Sequence, residues 1–554
     1  MAVYNISSGV TSTGKVLNTS DYMYVMSSGR ANSTTIKSGG YIVVSSAGFA
    51  SAGFVSSGGK AWVYSGGQAD DFAILNGGEM NVSGSKATAR YARVSSGGIL
   101  WGSSAGVVSS SFIYNGGAMY VRNYGFASGI QVSSGGTLGV FVDGSAYGVF
   151  AYYGGNVIVS SGGITSSATV FGGTFNVMSY GWANQTIVSS GKFNIYDGGI
   201  ADNLFVKVDG VANVFYGGVA SGVEVSSGGV FNVSSGGTAG KVIAGRDGQV
   251  NVVYGGFVSS ANVKGSGVIN VSGKAQVVTL DLGDLYVAPG GSAANVSVWG
   301  GSAFVSSGGT LNNPFMHLGM IIVSSGGTVN GANVVDGTMI VSGTANSTTV
   351  TSDGNLYVVG SALDTVMSEG GLYVSGGKAT SNTVRALASM VVEIDGVASY
   401  TSVFGGAKVN LRSGGTADHT VLDIGYMTVS RGARAYATYV SSGASLTIES
   451  AGMVSKTHVY EDGVIVVSSG GVAMDTLVSG GMLYISSGAS AYQVTVSSGG
   501  SVRMNGGNAA AISLHRGNLY VSANGTATDV TAKLSASISA WDGGTVIGAV
   551  LSGP

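Results

Sequence analysis

The residues that could carry acid–base chemistry in this chain are few and far apart. The four histidines are His317, His419, His458 and His515, and each lies in a different part of the sequence. His419 follows Asp418, and with one of the many serines this pair would supply the residue types of nucleophilic hydrolysis. Adjacent residues of a strand point to opposite faces, so we expect these two side chains to diverge. The sequence therefore predicts no catalytic residue and no enzyme.

Paired carboxylates and metal ligands give no stronger signal. The pairs Asp70-Asp71 and Glu461-Asp462 lie at or near turns, where charged side chains are solvated. The chain has no cysteine, which excludes disulfides and thiolate metal sites. Its aspartates do not recur with the period of calcium-binding nonapeptides, and no phosphate-binding GxxxxGK[ST] loop occurs. We expect neither a metal nor a cofactor.

The overall composition decides whether such a glycine-rich chain can fold. The chain has 97 glycines in 554 residues, as flexible linkers do, yet 44% of its residues are hydrophobic and its mean hydropathy is +0.36. Disordered segments combine low hydrophobicity with high net charge, whereas here 9% of the residues are charged and the net charge is −2. We expect a packed fold, and the scattered charges predict no nucleic-acid surface.

An internal repeat organises the whole sequence. Alignment on glycine pairs gives 19-residue units such as Tyr41–Gly59, Lys60–Gly78, Val211–Gly229 and Met482–Gly500. The same phase runs from residue 1 to residue 554 with small slips, which gives about 30 units of 18–19 residues. The sequence therefore predicts one repeat array, 1–554, with no second domain.

Each unit contains two short strands separated by Ser/Gly turns. The first strand alternates apolar and polar residues, as in Asn156-Val-Ile-Val159, and the second includes segments such as Thr186-Ile-Val188. One unit cannot bury its own apolar face, but stacked units pair each strand with its equivalent in the next coil. We expect an all-β, parallel β-helix, or β-solenoid, whose two glycine-containing corners are chemically equivalent.

The outward position of the first strand carries two further patterns. In six consecutive units it is asparagine, which predicts a ladder of side-chain amides along the stack: Asn176, Asn194, Asn213, Asn232, Asn251 and Asn270. The column then becomes aromatic and aliphatic, which is either a contact surface or the ordinary preference of strands for such residues: Tyr286, Phe304, Ile322, Ile340, Tyr357 and Tyr373.

The repeat resembles a known family. The pentapeptide VSSGG occurs ten times, strands read xLYV as in Asn355-Leu-Tyr-Val358, and a GGxA segment follows many turns. Together these features resemble the AIDA-type repeat of Gram-negative autotransporter adhesins, which include the diffuse-adherence adhesin and TibA-like glycoproteins. The resemblance implies a right-handed β-helical passenger at the cell surface or secreted, associated with the outer membrane. It implies a role in cell adhesion, autoaggregation, biofilm formation and virulence, through a host or bacterial receptor or through self-association.

The resemblance also implies O-glycosylation of repeat serines by a heptosyltransferase. The candidate acceptors are the corner serines of the ten pentapeptides: Ser56, Ser57, Ser95, Ser96, Ser133, Ser134, Ser160, Ser161, Ser226, Ser227, Ser234, Ser235, Ser306, Ser307, Ser324, Ser325, Ser468, Ser469, Ser497 and Ser498. Their hydroxyls would otherwise be passive solubilising groups. The sequence shows no signal peptide and no translocator barrel, so it does not indicate an export route.

A structural filament or sheath subunit is the alternative interpretation. The repeat continues to both ends of the sequence without a helix or a charged cap, and uncovered strands can template further pairing. This alternative predicts end-to-end assembly of identical chains.

Overall fold

The strands of this protein stack into a parallel β-solenoid, as the sequence predicts. The computed structural model describes residues 1–552 except 57, 134 and 534, and within these residues every element is a strand. The solenoid has about 29 turns, against the predicted 30 or so. The strands divide into two compact units, Met1–Leu285 and Tyr286–Pro554. A single array over the whole chain stays a prediction.

Each turn has three sides, which we name A, B and C. Side A is the first strand of the repeat, side C is the second strand predicted from the sequence, and side B is the short segment between them, which also pairs as a strand. In the first unit, Val3 on side A pairs with Tyr22, Thr11 on side B pairs with Arg30, and Val16 on side C pairs with Thr35. The cross-section is therefore three-sided.

In the first unit the strands have the following bounds. Side A contains Val3–Ile6, Tyr22–Val25, Tyr41–Val44, Lys60–Val63, Glu79–Ser83, Ile99–Ser103, Ala118–Val121, Thr137–Val140, Asn156–Val159, Thr174–Val177, Lys192–Ile195, Val211–Val214, Val230–Val233, Gln249–Val252 and Val268–Val271. Side B contains Thr11–Thr13, Arg30–Asn32, Phe49–Ser51, Gln68–Asp70, Thr88–Arg90, Val107–Ser109, Phe126–Ser128, Ser145–Tyr147, Ile164–Ser166, Thr238–Gly240 and Phe257–Val258. Side C contains Val16–Leu17, Thr35–Ile36, Phe54–Val55, Ala73–Ile74, Arg93–Val94, Phe112–Ile113, Gln131–Val132, Phe150–Tyr152, Thr169–Phe171, Val242–Ala244 and Ala261–Lys264. Four strands run through sides B and C without a break: Trp182–Ser189, Ile200–Lys207, Val219–Val225 and Lys274–Asp281.

In the second unit most B and C sides are joined. Side A contains Thr338–Val341, Asn355–Val358, Gly371–Ser375, Ser389–Glu393, Lys408–Leu411, Tyr426–Val429, Ser445–Ile448, Val464–Val467, Met482–Ser486, Ser501–Asn505, Asn518–Ser522 and Ser537–Ala540. The joined strands are Ser361–Met367, Lys378–Val384, Val397–Phe404, Thr416–Asp423, Arg434–Ser441, Met453–Val459, Val472–Ser479, Ser490–Ser497, Asn508–Leu514 and Thr526–Lys533. Separate B and C strands are Thr310–Asn312, Thr328–Asn330, Asn333–Val334, Thr344–Asn346, Thr349–Val350, Thr545–Ile547 and Val550–Ser552. Two longer strands also include side A, Ser292–Val305 and Phe315–Val323, and Asp284–Val287 contains residues of both units.

The core consists of columns of apolar side chains inside the coil. On side A the second and fourth strand residues are buried, as Val157 and Val159 are, and side B places a small residue inward, commonly alanine. Phe175 and Phe193 are fully buried, and their rings stack with centroids 5.1 Å apart. Burial of a large apolar side chain contributes about 1.5–3 kcal/mol. Each column therefore stabilises the register of its neighbours.

Three corners join the sides. Corners AB and CA are the predicted Ser/Gly turns. Corner BC is a single residue with positive φ, for example Ser33 at 51°, Gln185 at 53° and Ser347 at 54°. This residue turns the chain without interrupting strand pairing, and the sequence pattern alone does not mark it as a corner.

Candidate functional site

The VSSGG pentapeptides form β-turns at corners AB and CA. The N–H of the second glycine donates to the carbonyl of the first serine, at 2.8 Å from Gly163 to Ser160 and 2.9 Å from Gly309 to Ser306. The valine ends a strand with its side chain buried, so the next residues leave the sheet. The second serine occupies the outermost part of the turn.

The eight pentapeptides that the structure describes in full do not share one conformation. At corner CA, the second serines Ser96, Ser227 and Ser498 have positive φ, and the following glycine has positive φ as well, as in a type I′ turn. Ser161 at corner AB does the same. At the other AB corners only the glycine has positive φ, as in a type II turn: Gly236, Gly308, Gly326 and Gly470.

The two turn types differ in their hydrogen bonds along the stack. In the first type the serine amide donates along the stack, as from Ser227 to the carbonyl of Arg246 at 2.7 Å. The glycine amide donates along the stack in both types, as from Gly228 to the carbonyl of Asp247 at 3.1 Å in the first and from Gly308 to the carbonyl of Gly326 at 2.8 Å in the second. The two corners, predicted to be chemically equivalent, therefore share a pentapeptide but not one conformation, although Ser161 at corner AB adopts the conformation seen at corner CA.

The two serines of a pentapeptide differ in exposure. The second serine is exposed in every pentapeptide where the structure describes it: Ser96, Ser161, Ser227, Ser235, Ser307, Ser325, Ser469 and Ser498. The first serine is half-buried, with Ser324 as the exposed exception: Ser56, Ser95, Ser133, Ser160, Ser226, Ser234, Ser306, Ser468 and Ser497. The predicted sites Ser57 and Ser134 lie outside the described residues. The second hydroxyl is therefore the accessible one.

A glycine in the neighbouring turn leaves space beside the second hydroxyl. A Cβ added to Gly488 would lie 2.7 Å from Oγ of Ser469, and one added to Gly470 would lie 2.8 Å from Oγ of Ser450. Ser450, Ser469 and Ser487 thus occupy one column of exposed hydroxyls in consecutive turns. Ser450 and Ser487 were missed because they do not belong to an exact VSSGG. Their position in the corner, rather than the pentapeptide, was the usable signal.

The six predicted ladder asparagines are joined by side-chain hydrogen bonds in the first unit. Each Nδ2 donates to Oδ1 of the asparagine in the preceding turn, at 3.0 Å from Asn194 to Asn176 and 2.9 Å from Asn213 to Asn194. The series continues at 2.9, 2.8 and 2.9 Å through Asn232, Asn251 and Asn270. Asn176 donates in turn to Asn156, at 3.1 Å. The ladder fixes the register of neighbouring turns.

The predicted contact stripe lies on side A of the second unit. Tyr286 and Phe304 stack with ring centroids 4.7 Å apart, and Tyr357 and Tyr373 stack at 4.6 Å. Ile322 pairs with Phe304, and Ile340 pairs with both Ile322 and Tyr357. Tyr286 and Tyr357 are each 39% exposed. The six residues therefore form one partly exposed apolar column, which suits contact with another surface.

The histidine and its neighbouring aspartate behave differently from the prediction. His419 is a BC corner with φ of 53°, so its side chain and that of Asp418 both lie outside the coil, with Nδ1 3.0 Å from Oδ1. The expectation that they diverge is wrong, because the corner residue interrupts the alternation of the strand. The ring of Tyr400 stacks on His419 with centroids 5.0 Å apart. The pair lies exposed on a convex corner.

The predicted carboxylate pairs are held at the surface. Asp70 accepts two hydrogen bonds from Arg90, at 3.1 and 3.0 Å, and Asp71 forms an ion pair with Arg93 at 2.7 Å. These hydrogen bonds, which the Arg90 guanidinium donates to the Asp70 carboxylate, raise the pKa of Arg90. Glu461 and Asp462 are exposed at a CA corner. In residues 1–552, outside the three gaps, no cluster of histidines and carboxylates could hold a metal ion.

These features define a class of protein: a parallel β-solenoid whose surface chemistry is repeated at its corners. No protein-family model matches the chain, and a search of curated proteins found no match. A TibC-catalysed, hyper-glycosylated fragment of TibA, residues 55–350, is a similar solved structure, with 29% sequence identity. The match covers 56% of this chain and 96% of the fragment, with a TM-score of 0.43. The Streptococcus pneumoniae surface protein and adhesin PfbA matches at 8% identity, covers 66% of this chain and 90% of its own, and has a TM-score of 0.11. Superpositions at these scores do not show a shared architecture.

Proposed function

We propose that this chain is a non-catalytic adhesin or autoaggregation passenger, displayed at the bacterial surface or secreted, and O-glycosylated on its corner serines. The observation that carries the proposal is the set of exposed second serines at equivalent positions of stacked turns. The resemblance of the repeat to AIDA-type passengers supports the same role. Receptor binding and self-association would use the outward columns of side A.

The spacing of the corners suits an array of attached sugars. In the first unit, Val55, Ile74, Val94, Ile113 and Val132 pair in succession on side C, so the pentapeptides at Val55, Val94 and Val132 occupy every second turn. With strands about 4.8 Å apart, successive pentapeptides lie about 10 Å apart. At this corner the distance leaves one turn between pentapeptides, whereas the pentapeptides at Val305 and Val323 lie in adjacent turns. A sugar at the more widely spaced corner would extend into solvent without meeting its neighbour.

Glycosylation is expected on the second serine of a pentapeptide rather than the first. The glycosyltransferase has to reach the hydroxyl that it modifies. Ser161 is exposed, whereas Ser160 is half-buried. Co-expression with an autotransporter heptosyltransferase should add mass in steps of one heptose, measured by intact-mass spectrometry. Peptide mapping should place a sugar on Ser161, Ser227 and Ser498.

Alanine variants separate the two positions. Replacing all eight described second serines should remove most of the added mass, whereas replacing the matched first serines should leave it. Because both sets consist of surface hydroxyls, a shared folding defect would appear in circular dichroism of the two variants. An unmodified wild-type chain, or equal loss in both variants, would contradict the proposal.

A further inference from the structure

The last turns of the second unit carry an open groove on side A. Tyr484, Arg503 and Tyr520 occupy the same outward position in three successive turns and pair in register. The groove has a volume of about 700 Å³, within the range of small-molecule sites. It lies apart from the aromatic and aliphatic stripe that ends at Tyr373. The corner serines of the VSSGG pentapeptides do not line it.

Aromatic rings form part of the lining of this groove. The rings of Tyr520 and Trp541 lie 6.0 Å apart at an interplanar angle of 67°, so the two rings bound a corner. Trp541 is 52% exposed, an unusual degree for so large an apolar side chain. An aromatic face carries partial negative charge, which attracts the weakly positive C–H groups of a sugar ring. The two rings therefore offer stacking surfaces for a saccharide.

One cation gives the groove its charge. The guanidinium of Arg503 lies over the ring of Tyr520, 5.2 Å from its centroid, which orients the planar group. Among the described residues that line the groove, Arg503 is the only charged one. The ion pairs formed by the described part of the chain do not include it. A guanidinium that takes part in no such ion pair can bind the carboxylate of a ligand through two parallel N–H donors.

Polar groups border the rings on one side. Ser486, Asn505 and Ser522 pair in register two residues beyond the column of Tyr484, Arg503 and Tyr520, at the next outward position. The Asn505 amide and the Ser486 hydroxyl can both donate and accept, as sugar hydroxyls require, whereas the Ser522 hydroxyl donates to the carbonyl of Met504 at 3.1 Å and offers its oxygen as an acceptor. Aromatic faces, a row of amide and hydroxyl groups and one cation thus line the same groove. A single cation is too little for a nucleic acid, which needs several phosphate contacts.

We propose that this groove binds an acidic oligosaccharide, with a sugar ring on Trp541 and Tyr520 and a uronate carboxylate on Arg503. Asn505 and Ser522 bind the sugar hydroxyls. This activity goes beyond the proposed surface role, and it does not depend on glycosylation of the corner serines. A chain without attached heptose still binds the acidic saccharide.

The test compares two probes that differ in the charge of each carboxyl group and in the methyl group that the ester carries there. Tetragalacturonate and its methyl ester are titrated into the purified, unglycosylated full chain, with isothermal calorimetry and tryptophan fluorescence as readouts. The acid should bind with an affinity at least about tenfold higher than the ester. Equal affinities for the two probes, or no binding of the acid, would overturn the proposal.

Variants assign the contacts. Arg503→Gln should weaken binding of the acid about tenfold and leave the ester unchanged, and Trp541→Ala should weaken both. Trp541→Phe keeps an aromatic face, so binding should persist while the fluorescence change is lost. Trp62→Ala, on side A of the first unit, is the matched control and should bind like wild type. Unchanged acid binding in Arg503→Gln, with the fold verified by circular dichroism, would refute the assignment.

Discussion

Replacing Gly98 with alanine is expected to separate two turns of the solenoid, whereas the same change at the adjacent Gly97 is expected to be tolerated. A Cβ on Gly98 would overlap the carbonyl oxygen of Ile74 in the preceding turn. That carbonyl belongs to the backbone and cannot turn aside without breaking the ladder. The loss in local stability should reach about 3 kcal/mol, the upper end for overpacking of a closed site.

Gly97 serves as the control because it belongs to the same turn. Its φ is +77°, which costs an alanine about 1–2 kcal/mol, but an added Cβ would meet nothing closer than 3.9 Å. The two glycines of one VSSGG therefore have different roles. The first permits the turn conformation, and the second permits close approach of neighbouring turns.

Hydrogen exchange measures this difference locally. A stacked-repeat protein opens in parts, so a single melting temperature would not report on one corner. Exchange at the amides of the strands around residues 74–98 should rise strongly in Gly98→Ala and modestly in Gly97→Ala. Similar exchange in the two variants would show that the corner tolerates closer packing than its geometry indicates.

The sequence was informative where its period matched the period of the backbone. Most strands of side A alternate, as in Asn156–Val159, where Val157 and Val159 point inward and Asn156 and Ile158 outward. The outward asparagines recur once per turn, and their amides meet in the structure. The glycine pairs marked two of the three corners because few other residues fit a tight turn.

The third corner could not be predicted, because it is one residue of variable type. Corner BC is occupied by Ser33, Tyr400, Lys456 and Asp475 among others, each with positive φ. Such a residue shifts the inward–outward alternation by one position. The shift places His419 beside Asp418 on the outside of the coil.

The same shift brings polar side chains into the interior of the second unit. Thr365, Asn382, Thr401 and Thr420 pair in successive turns directly after corner BC, and each is at most 2% exposed. From the sequence, a threonine in a polar stretch is expected to face solvent. Only the position of the corner residue reveals that these side chains point inward, where Asn382 donates to the hydroxyl of Thr401 at 3.2 Å.

The groove around Arg503 could not be predicted from the sequence, for a different reason. Its residues belong to separate turns, about 18 residues apart, and aromatic residues are common on strands throughout the chain. Arg503 replaces an aromatic or aliphatic residue in its column, between Tyr484 and Tyr520. The arginine that departs from the repeat pattern was the available signal. Its position next to the aromatic rings is evident only when the strand register is known.

The asparagine ladder gives the second large effect, because an interior rung takes part in two bonds. Asn213→Val removes the hydrogen bond that Asn213 donates to Asn194 and the one it accepts from Asn232, each 2.9 Å long. Two lost bonds of about 1 kcal/mol each should lower the local free energy of opening by about 2 kcal/mol. Valine recovers a part of this through its preference for strands.

Asn410 provides the matched control, since it occupies the outward position of side A between Val391 and Thr428, which carry no amide. Asn410→Val should therefore leave the free energy of opening unchanged or raise it slightly, because valine suits a strand. Hydrogen exchange at the flanking strands measures both variants. If both variants lost stability equally, the asparagine itself and not the ladder would be the stabilising element. A loss confined to Asn213→Val would identify the amide column as the element that fixes the register of these turns.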